Sequence, residues 1–160
     1  MIRSIIARMD TTTPQQRIEA DVKAAMKAGA KDKLSTLRML LTEIKNERIR
    51  RQEEVDEAGF VSLVRKAIKQ REEAAEGFHR GGREDMAEKE KAEGAFLAQY
   101  LPAQVDEGQI RAAIAELVAS RGLSGPAAIG PIMKEMLARF GSSADGATIN
   151  RIAREVLAGK

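Results

Sequence analysis

Apolar residues recur every three or four positions in the first third of the chain, which is the spacing of one face of an α-helix. Thr13-Pro14 supplies an N-cap followed by proline at the first helical position, and this helix is expected to end at Gly29. Asp32 is expected to cap a second helix, and the charged residues 47–54 are expected to carry the turn that follows it. The apolar faces of these two helices comprise Ile18, Val22, Met26, Leu34, Leu37, Leu40, Leu41 and Ile44.

Two longer helices are predicted next. The third begins near Asp56 and ends at Gly81-Gly82, because glycine accepts the left-handed backbone that closes a helix. The fourth runs from about Glu84 to Tyr100, and its first half has so few apolar residues that we expect it to be mostly solvated. The inner side of the third helix is expected to comprise Val61, Val64, Ile68, Ala75 and Phe78.

Three shorter amphipathic helices are predicted in the last third of the chain. Asp106 is expected to cap the first of them and Gly122 to end it, while Asp145 precedes the last. Pro131 lies in the apolar pattern of the middle helix, so that helix should begin close to Pro126 or bend. The apolar faces comprise Ile110, Ile114, Leu117, Val118, Ile129, Ile132, Met133, Met136, Leu137, Phe140, Ile149, Ile152, Val156 and Leu157.

The change of pattern at residues 102–105 predicts a domain boundary. We expect a flexible N-terminal extension over residues 1–12, a domain of longer helices over 13–101 and a compact three-helix domain over 106–160. The composition agrees with an all-α fold, because 43% of the residues are hydrophobic, only 3% are aromatic, and strong helix formers are plentiful.

Several classes of chemistry lack the side chains that they need. The chain has no cysteine and one histidine, His79, which is expected to close a helix end. No phosphate-binding or dinucleotide-binding glycine motif and no metalloprotease or calcium-loop spacing is present. The carboxylates of the fourth helix alternate with lysines, which favours a solvated, ion-paired surface over a metal site; they are Glu84, Asp85, Glu88, Glu90 and Glu93. We therefore expect no catalytic residue, metal or cofactor.

The sequence also bears on location. The longest apolar runs are far shorter than the roughly 20 residues that span a bilayer, and the N-terminus has no coherent signal-peptide core. We expect a cytoplasmic protein with no membrane partner.

An ordered set of short strings resembles the YqeY family over residues 13–160. The strings are Leu37-Arg38-Met39-Leu40-Leu41, Ile44-Lys45-Asn46-Glu47, Lys69-Gln70-Arg71, Gly82-Arg83-Glu84-Asp85, Lys89-Glu90, Tyr100-Leu101-Pro102, Gly130-Pro131-Ile132-Met133-Lys134, Ala144-Asp145-Gly146, Ile149-Asn150 and Glu155-Val156-Leu157. YqeY proteins are similar to the helical tail of GatB, a subunit of tRNA-dependent glutamine amidotransferase. The resemblance implies a relative of a tRNA-binding tail, associated with carbon–nitrogen ligases that use glutamine as amide donor, but lacking the catalytic domains.

Contacts with tRNA phosphates would come from cations, because neutralising phosphates releases condensed counterions. In the last three helices the candidates are Lys134, Arg139, Arg151 and Arg154, and the Asp145-Gly146 turn could add backbone amides for an anion. Arg151 and Arg154 are three residues apart and are expected to be exposed and to reach outward together. The competing interpretation is that these are ordinary solvent-facing charges, since residues 101–160 carry seven bases against six acids.

A second candidate surface lies in the first domain. Arg38 and Lys45 are seven residues apart on the second helix and so share one side of it. Further bases that could extend this positive surface are Arg48, Arg50, Arg51, Lys66, Lys69 and Arg71. Acids lie close to most of them, so a solvated surface of mixed charge is the competing interpretation.

Three functions remain open from the sequence. The leading hypothesis is a non-catalytic tRNA-binding accessory protein, acting alongside a tRNA-dependent amidotransferase. The alternative is a protein–protein adaptor that docks on an enzyme or ribosome-associated partner through the acidic fourth helix or a helical groove. The third, an enzyme of carbon–nitrogen bond formation, would require glutamine-dependent amide transfer by this chain alone.

Overall fold

A computed structural model describes residues 12–160 of the chain. These residues form seven α-helices and no β-strand, which confirms the all-α fold. The α-helices are α1 Pro14–Lys27, α2 Lys31–Arg51, α3 Glu57–Arg80, α4 Glu84–Ala98, α5 Glu107–Arg121, α6 Ile129–Phe140 and α7 Gly146–Leu157, with short 3-10 helices at Pro126–Ala128 and Gly141–Ser143. The extension predicted for residues 1–12 lies outside the described residues except for Thr12.

The chain divides into two compact units, the first ending at Leu101 and the second running Pro102–Lys160. In the first unit α1 packs mainly on α2, and α3 packs mainly on α4, while α2 contacts α3 and α4 more sparsely. The buried core of this unit comprises Ile18, Ala25, Leu37, Leu40, Ile44, Val55, Phe60, Val64 and Leu97. The looser packing of α2 on the α3–α4 pair leaves room for a cavity on one side of α2.

Local capping explains where α1 begins, but it does not explain α2. Thr13 accepts the amide of Gln16, whose side chain accepts the amide of Thr13 in return, so the predicted cap of α1 is confirmed. The prediction that Asp32 caps α2 is wrong: the helix begins at Lys31, and the N-cap residue Ala30 provides no side-chain bond. Asp32 lies in the first turn instead, where its negative charge still favours the positive end of the helix.

The turn after α2 begins later than predicted. The expectation that residues 47–54 carry this turn is wrong for its first half, because α2 continues to Arg51. Glu47 pairs with Arg50 and Arg51 one helical turn later, and pairs at this spacing support a helix. The chain turns at Gln52, whose φ of 59° is in the left-handed region.

Helix α3 begins and ends close to the predicted residues, whereas α4 is shorter than predicted. The side chain of Asp56 caps α3 by accepting the amide of Gly59 at 2.8 Å, and Gly81 follows its end. Helix α4 ends at Ala98, two residues before the predicted end. Most residues of its first half are exposed, as expected. On the side facing α3, however, Ala87 is fully buried and Glu90 is largely covered.

The second unit is built from α5, α6 and α7 around one apolar cluster. Asp106 caps α5 as predicted, and Gly122 ends α5 in the left-handed conformation. Asp145, which the sequence placed before the last helix, caps α7. Pro131 lies in the first turn of α6, where the missing amide costs no helical hydrogen bond, and a 3-10 turn from Pro126 precedes it. The cluster comprises Ile110, Ala113, Ile114, Leu117, Ala128, Ile132, Met136, Ala144, Ile149, Ile152 and Ala153.

Within residues 12–160, no helix is both long enough and apolar enough to cross a membrane.

Candidate nucleic-acid interface

Three of the predicted cations of the second unit are exposed and form no ion pair with a carboxylate of residues 12–160. They are Lys134 and Arg139 on α6 and Arg154 on α7. The guanidinium of Arg139 lies 5.5 Å from the ring centre of Phe140, and Nε of Arg154 donates to Oδ1 of Asn150 at 2.8 Å. Neither contact neutralises charge, so all three remain available to an anion.

Arg151 is exposed, as expected, but its charge is shared with two carboxylates. Its guanidinium contacts Oε1 of Glu107 at 2.5 Å and Oε1 of Glu155 at 2.9 Å, and its side chain is 48% exposed. Glu155 also pairs with Arg111, so four charged side chains connect α5 and α7. The hydrogen bonds from Arg111 and Arg151 lower the pKa of Glu155.

The two arginines of α7 do not share one free patch. Arg151 reaches across to the start of α5, whereas Arg154 lines a shallow cavity with Gly125 and Pro126 at the start of the 3-10 turn. Three-residue spacing places side chains on neighbouring parts of a helix surface, but the partner carboxylates determine where Arg151 points. Arg154 is therefore the stronger of the two candidates.

Gly146 is the first residue of α7, and the N-terminal end of this helix is already capped. Oδ2 of Asp145 accepts the amide of Thr148 at 3.3 Å and its hydroxyl at 3.4 Å. Gly146 does not have a positive φ, and a methyl group added there would meet only Cδ2 of Leu137 at 3.9 Å. Neither the backbone nor the packing requires glycine here, but an anion would compete with the Asp145 carboxylate.

In the first unit, Arg38 and Lys45 are both exposed on α2, and neither pairs with a carboxylate among the described residues. The bases that follow them are different. Arg48 pairs with Glu54, and Arg50 and Arg51 pair with Glu47, whose pKa is lowered chiefly by its hydrogen bond from Arg50. The positive surface that the sequence indicated is thus reduced to Arg38 and Lys45 on this helix.

Arg38 also borders a cavity that no sequence pattern predicted. The cavity has a volume of about 620 Å³ and lies between α2 and α3, with Leu97 of α4 contributing to its lining. Arg71 enters it from α3 and Met39 from α2. The sequence offered one signal of this site, since Arg38, Met39 and Arg71 all belong to strings of the family resemblance.

Arg71 is held in place by two carboxylates of α4. Its Nε lies 2.8 Å from Oε2 of Glu93 and 3.6 Å from Oε2 of Glu90, and the three side chains are between 13% and 19% exposed. The expectation of solvated carboxylates is therefore wrong for Glu90 and Glu93. Because Glu90 and Glu93 face α3, fewer acids of α4 are exposed to a protein partner.

His79 lies in the last turn of α3. Its Nδ1 contacts the carboxylate of Glu84 across the turn that joins α3 to α4, and both side chains are exposed. In the part of the chain that the structure describes, no group of three or more histidines and carboxylates is placed to hold a metal ion.

The chain is similar to proteins of one family. A family model described as Yqey-like protein matches residues 15–157. A Pyrenophora tritici-repentis (strain Pt-1C-BFP) protein named "Altered inheritance of mitochondria protein 41, mitochondrial" is 30% identical over 99% of this chain and 91% of its own length. Proteins of the same name from Lachancea thermotolerans and Eremothecium gossypii are 32% and 34% identical, over 68% and 54% of this chain. The alignments cover 60% and 48% of those two relatives.

These relatives contradict the cytoplasmic location that we predicted, since all three are named as mitochondrial proteins. The prediction rested on short apolar runs and on the lack of a secretory signal core. Neither feature distinguishes a cytoplasmic protein from one inside an organelle.

Proposed function

This chain belongs to the Yqey-like protein family, and from that membership and its unpaired surface cations we propose that it is a non-catalytic accessory protein that binds tRNA. In this proposal the chain resembles the tail of a tRNA-dependent glutamine amidotransferase in role as well as in sequence. Amide transfer belongs to a partner enzyme, and the chain supplies RNA contacts.

One observation supports the proposal above the others. Six cations were predicted to contact RNA, and five of them, Arg38, Lys45, Lys134, Arg139 and Arg154, have no carboxylate partner among the described residues. Many of the other bases of the chain are paired, including Arg17, Arg48, Arg50, Arg51, Lys69, Arg71, Arg80, Arg83, Lys91, Arg111 and Arg121. Unpaired cations can neutralise phosphates without first breaking an internal ion pair, which favours binding to a polyanion such as tRNA.

A fluorescence-anisotropy titration of labelled tRNA at several salt concentrations tests this proposal. We expect affinity to fall steeply as salt rises, because each phosphate contact releases a counterion. Arg38→Glu with Lys45→Glu, and separately Lys134→Glu with Arg154→Glu, should each weaken binding by roughly tenfold or more.

The matched control is Arg80→Glu with Lys91→Glu, which changes the net charge equally at two exposed cations that are already paired and were not predicted to contact RNA. A similar loss in the control would show that net charge, not these sites, governs binding. Absence of binding at low salt, or an affinity independent of salt, would refute the proposal. Recovery of a protein partner but no RNA after nuclease treatment would favour the adaptor function instead.

A further inference from the structure

The cavity beside α2 has a polar edge made of residues one helical turn apart. Lys31, Ser35 and Arg38 lie at positions i, i+4 and i+7 of α2 and all line the cavity. Each is exposed, and none has a side-chain hydrogen bond or ion pair within residues 12–160. Two cations with a hydroxyl between them, all without partners, form an edge suited to the oxygens of a phosphate group.

The start of α2 adds to the positive character of this edge. Lys31 is the first residue of α2, and Ala30 before it provides no side-chain acceptor for the first amides of the helix. The helix is 21 residues long, so its amino end carries a partial positive charge close to Lys31. Asp32 in the first turn offsets part of this charge, and Glu43 also lines the cavity, so the edge attracts anions chiefly through Lys31 and Arg38.

The interior of the cavity is apolar and would not suit a bare inorganic ion. Leu34, Met39, Leu40, Ala67 and Leu97 line it. A volume of about 620 Å³ is several times that of a phosphate ion and lies in the range of pockets that bind small organic molecules. A ligand that fills it must therefore carry a flat or apolar body as well as an anionic group.

Two side chains of α3 supply directional groups at the opposite wall. Gln70 is exposed and has no hydrogen-bond partner among the described residues, so its amide can both donate and accept. Arg71 is 13% exposed, and within residues 12–160 its Nη2 donates only to the sulfur of Met39, at 3.4 Å. Because a thioether is a weak acceptor, this guanidinium retains donors for a ligand inside the cavity.

We propose that this cavity binds a nucleoside 5′-phosphate, either as a free nucleotide or as an unpaired nucleotide of RNA. The phosphate lies on the edge formed by Lys31, Ser35 and Arg38. The base lies on the apolar lining, with its polar edge toward Gln70 and Arg71. When the source is RNA, the inference rests on the proposed function and specifies where an unpaired nucleotide is held.

The experiment uses the full chain with ¹³C-labelled methionine methyl groups, observed by NMR. Met39 lines the cavity and is 52% exposed, while Met26 lies outside it and is 54% exposed, so the two methyl signals form a matched pair. Adenosine 5′-phosphate and cytidine 5′-phosphate, followed by a short unpaired oligoribonucleotide, should shift the Met39 signal saturably and leave Met26 unchanged. Inorganic phosphate lacks the nucleoside and adenosine lacks the phosphate, so each should bind more weakly than the nucleotides.

Ser35→Asp places a negative charge between the two cations of the edge and should weaken nucleotide binding by roughly tenfold. The control is Ser62→Asp, at an exposed helical serine of the same unit that does not line the cavity. A response to the oligoribonucleotide but not to free nucleotides supports the proposal with RNA as the source.

Other outcomes refute it. A Met39 signal that responds to neither nucleotides nor the oligoribonucleotide, that responds equally to inorganic phosphate alone, or that responds identically in Ser35→Asp would overturn the proposal. Binding of tRNA that leaves Met39 unmoved would overturn this inference and leave the proposed function standing. A Met39 response to nucleotides without any tRNA binding would refute the proposed function and leave this inference standing.

Discussion

Both units of the chain bury the centre of their core almost completely, but they differ in the size of the cavities between their helices. In the second unit, α5, α6 and α7 all contribute to one continuous cluster, and Ile114, Ile132, Ile149 and Ile152 are completely buried. In the first unit, α2 packs closely on α1 but only sparsely on α3 and α4, leaving a cavity of about 620 Å³ and an exposed Met39 at its border. The larger cavity of the first unit suggests that binding features are to be sought where helix packing is incomplete.

One ion-pair network in each unit can be compared by how far its side chains are exposed to solvent. The network of Arg111, Glu155, Arg151 and Glu107 lies on the surface of the second unit, and its members are 31% to 61% exposed. In the first unit, Arg71 and its two acids are no more than 19% exposed. Surface pairs contribute little to stability, while breaking a covered pair leaves charge in a poorly solvated place. The covered set should therefore be the more sensitive to substitution.

Ile132→Asp should produce the largest effect. An unpaired carboxylate in the centre of the second unit should lower its free energy of unfolding by more than about 4 kcal/mol. A unit this small is not expected to stay folded after such a loss. Hydrogen exchange should show protection lost in residues 102–160 and retained in α3 and α4, because the cluster around Ile132 contains residues of the second unit alone. Leu137→Asp, at a position 45% exposed on the same helix, is the control and should remain folded. Hydrogen-exchange protection retained in residues 102–160 of Ile132→Asp would show that this core is assigned wrongly.

Arg71→Leu should have the next largest effect. It leaves Glu90 and Glu93 largely covered and without their cation, at a cost of about 3 kcal/mol in the free energy of unfolding, measured by urea denaturation. Adding Glu90→Gln and Glu93→Gln should recover most of the loss. Arg151→Leu in the second unit is the comparison and should cost much less, since its pairs are exposed. Equal losses at the two arginines would remove the distinction between the charge networks.

The smallest effect concerns pH. The pKa of Glu155 lies below its ordinary value of 4.5, because Arg111 and Arg151 hold its charged form. Its stabilising contribution is therefore fully present above that ordinary value and is lost as pH falls through the lowered pKa. Melting temperatures of Glu155→Gln should consequently fall less steeply on acidification than those of the unmodified chain. Glu47→Gln tests the same effect in the first unit, and an unchanged pH profile in either variant would contradict the assignment for that residue.

The helices could be predicted from sequence because their signals are local. Asp56, Asp106 and Asp145 each accept an amide three residues further along, so the cap and its partner lie in one short segment. Two local predictions were wrong. Asp32 lies in the first turn of α2 and does not cap it, and α2 continues to Arg51, into the segment 47–54 that was expected to carry a turn. In both places charged residues that are typical of caps and turns are also compatible with a helix stabilised by its dipole and by ion pairs.

The candidate site was less accessible to the sequence. Solvent exposure of Arg38, Lys134 and Arg154 follows from their positions off the apolar face, and the structure agrees. The partners of Arg151 do not follow, since Glu107 is 44 residues away in sequence. The cavity depends on how loosely α2 lies on α3 and α4, which is a property of tertiary packing that no local pattern contains.

Tyr100 gives the first unit an optical signal of its own. The chain has no tryptophan and a single tyrosine, whose hydroxyl donates to Oδ2 of Asp21 at 2.5 Å and whose ring meets Phe60 and Phe96 edge-on. Burial, with the hydrogen bond to Asp21, raises the pKa of Tyr100, so the phenol stays protonated far into alkaline solution. Residues 102–160 contain neither a phenol nor an indole. Tyrosine absorbance and emission thus follow the first unit without any label, while the second unit, whose one aromatic ring is Phe140, contributes no tyrosine signal.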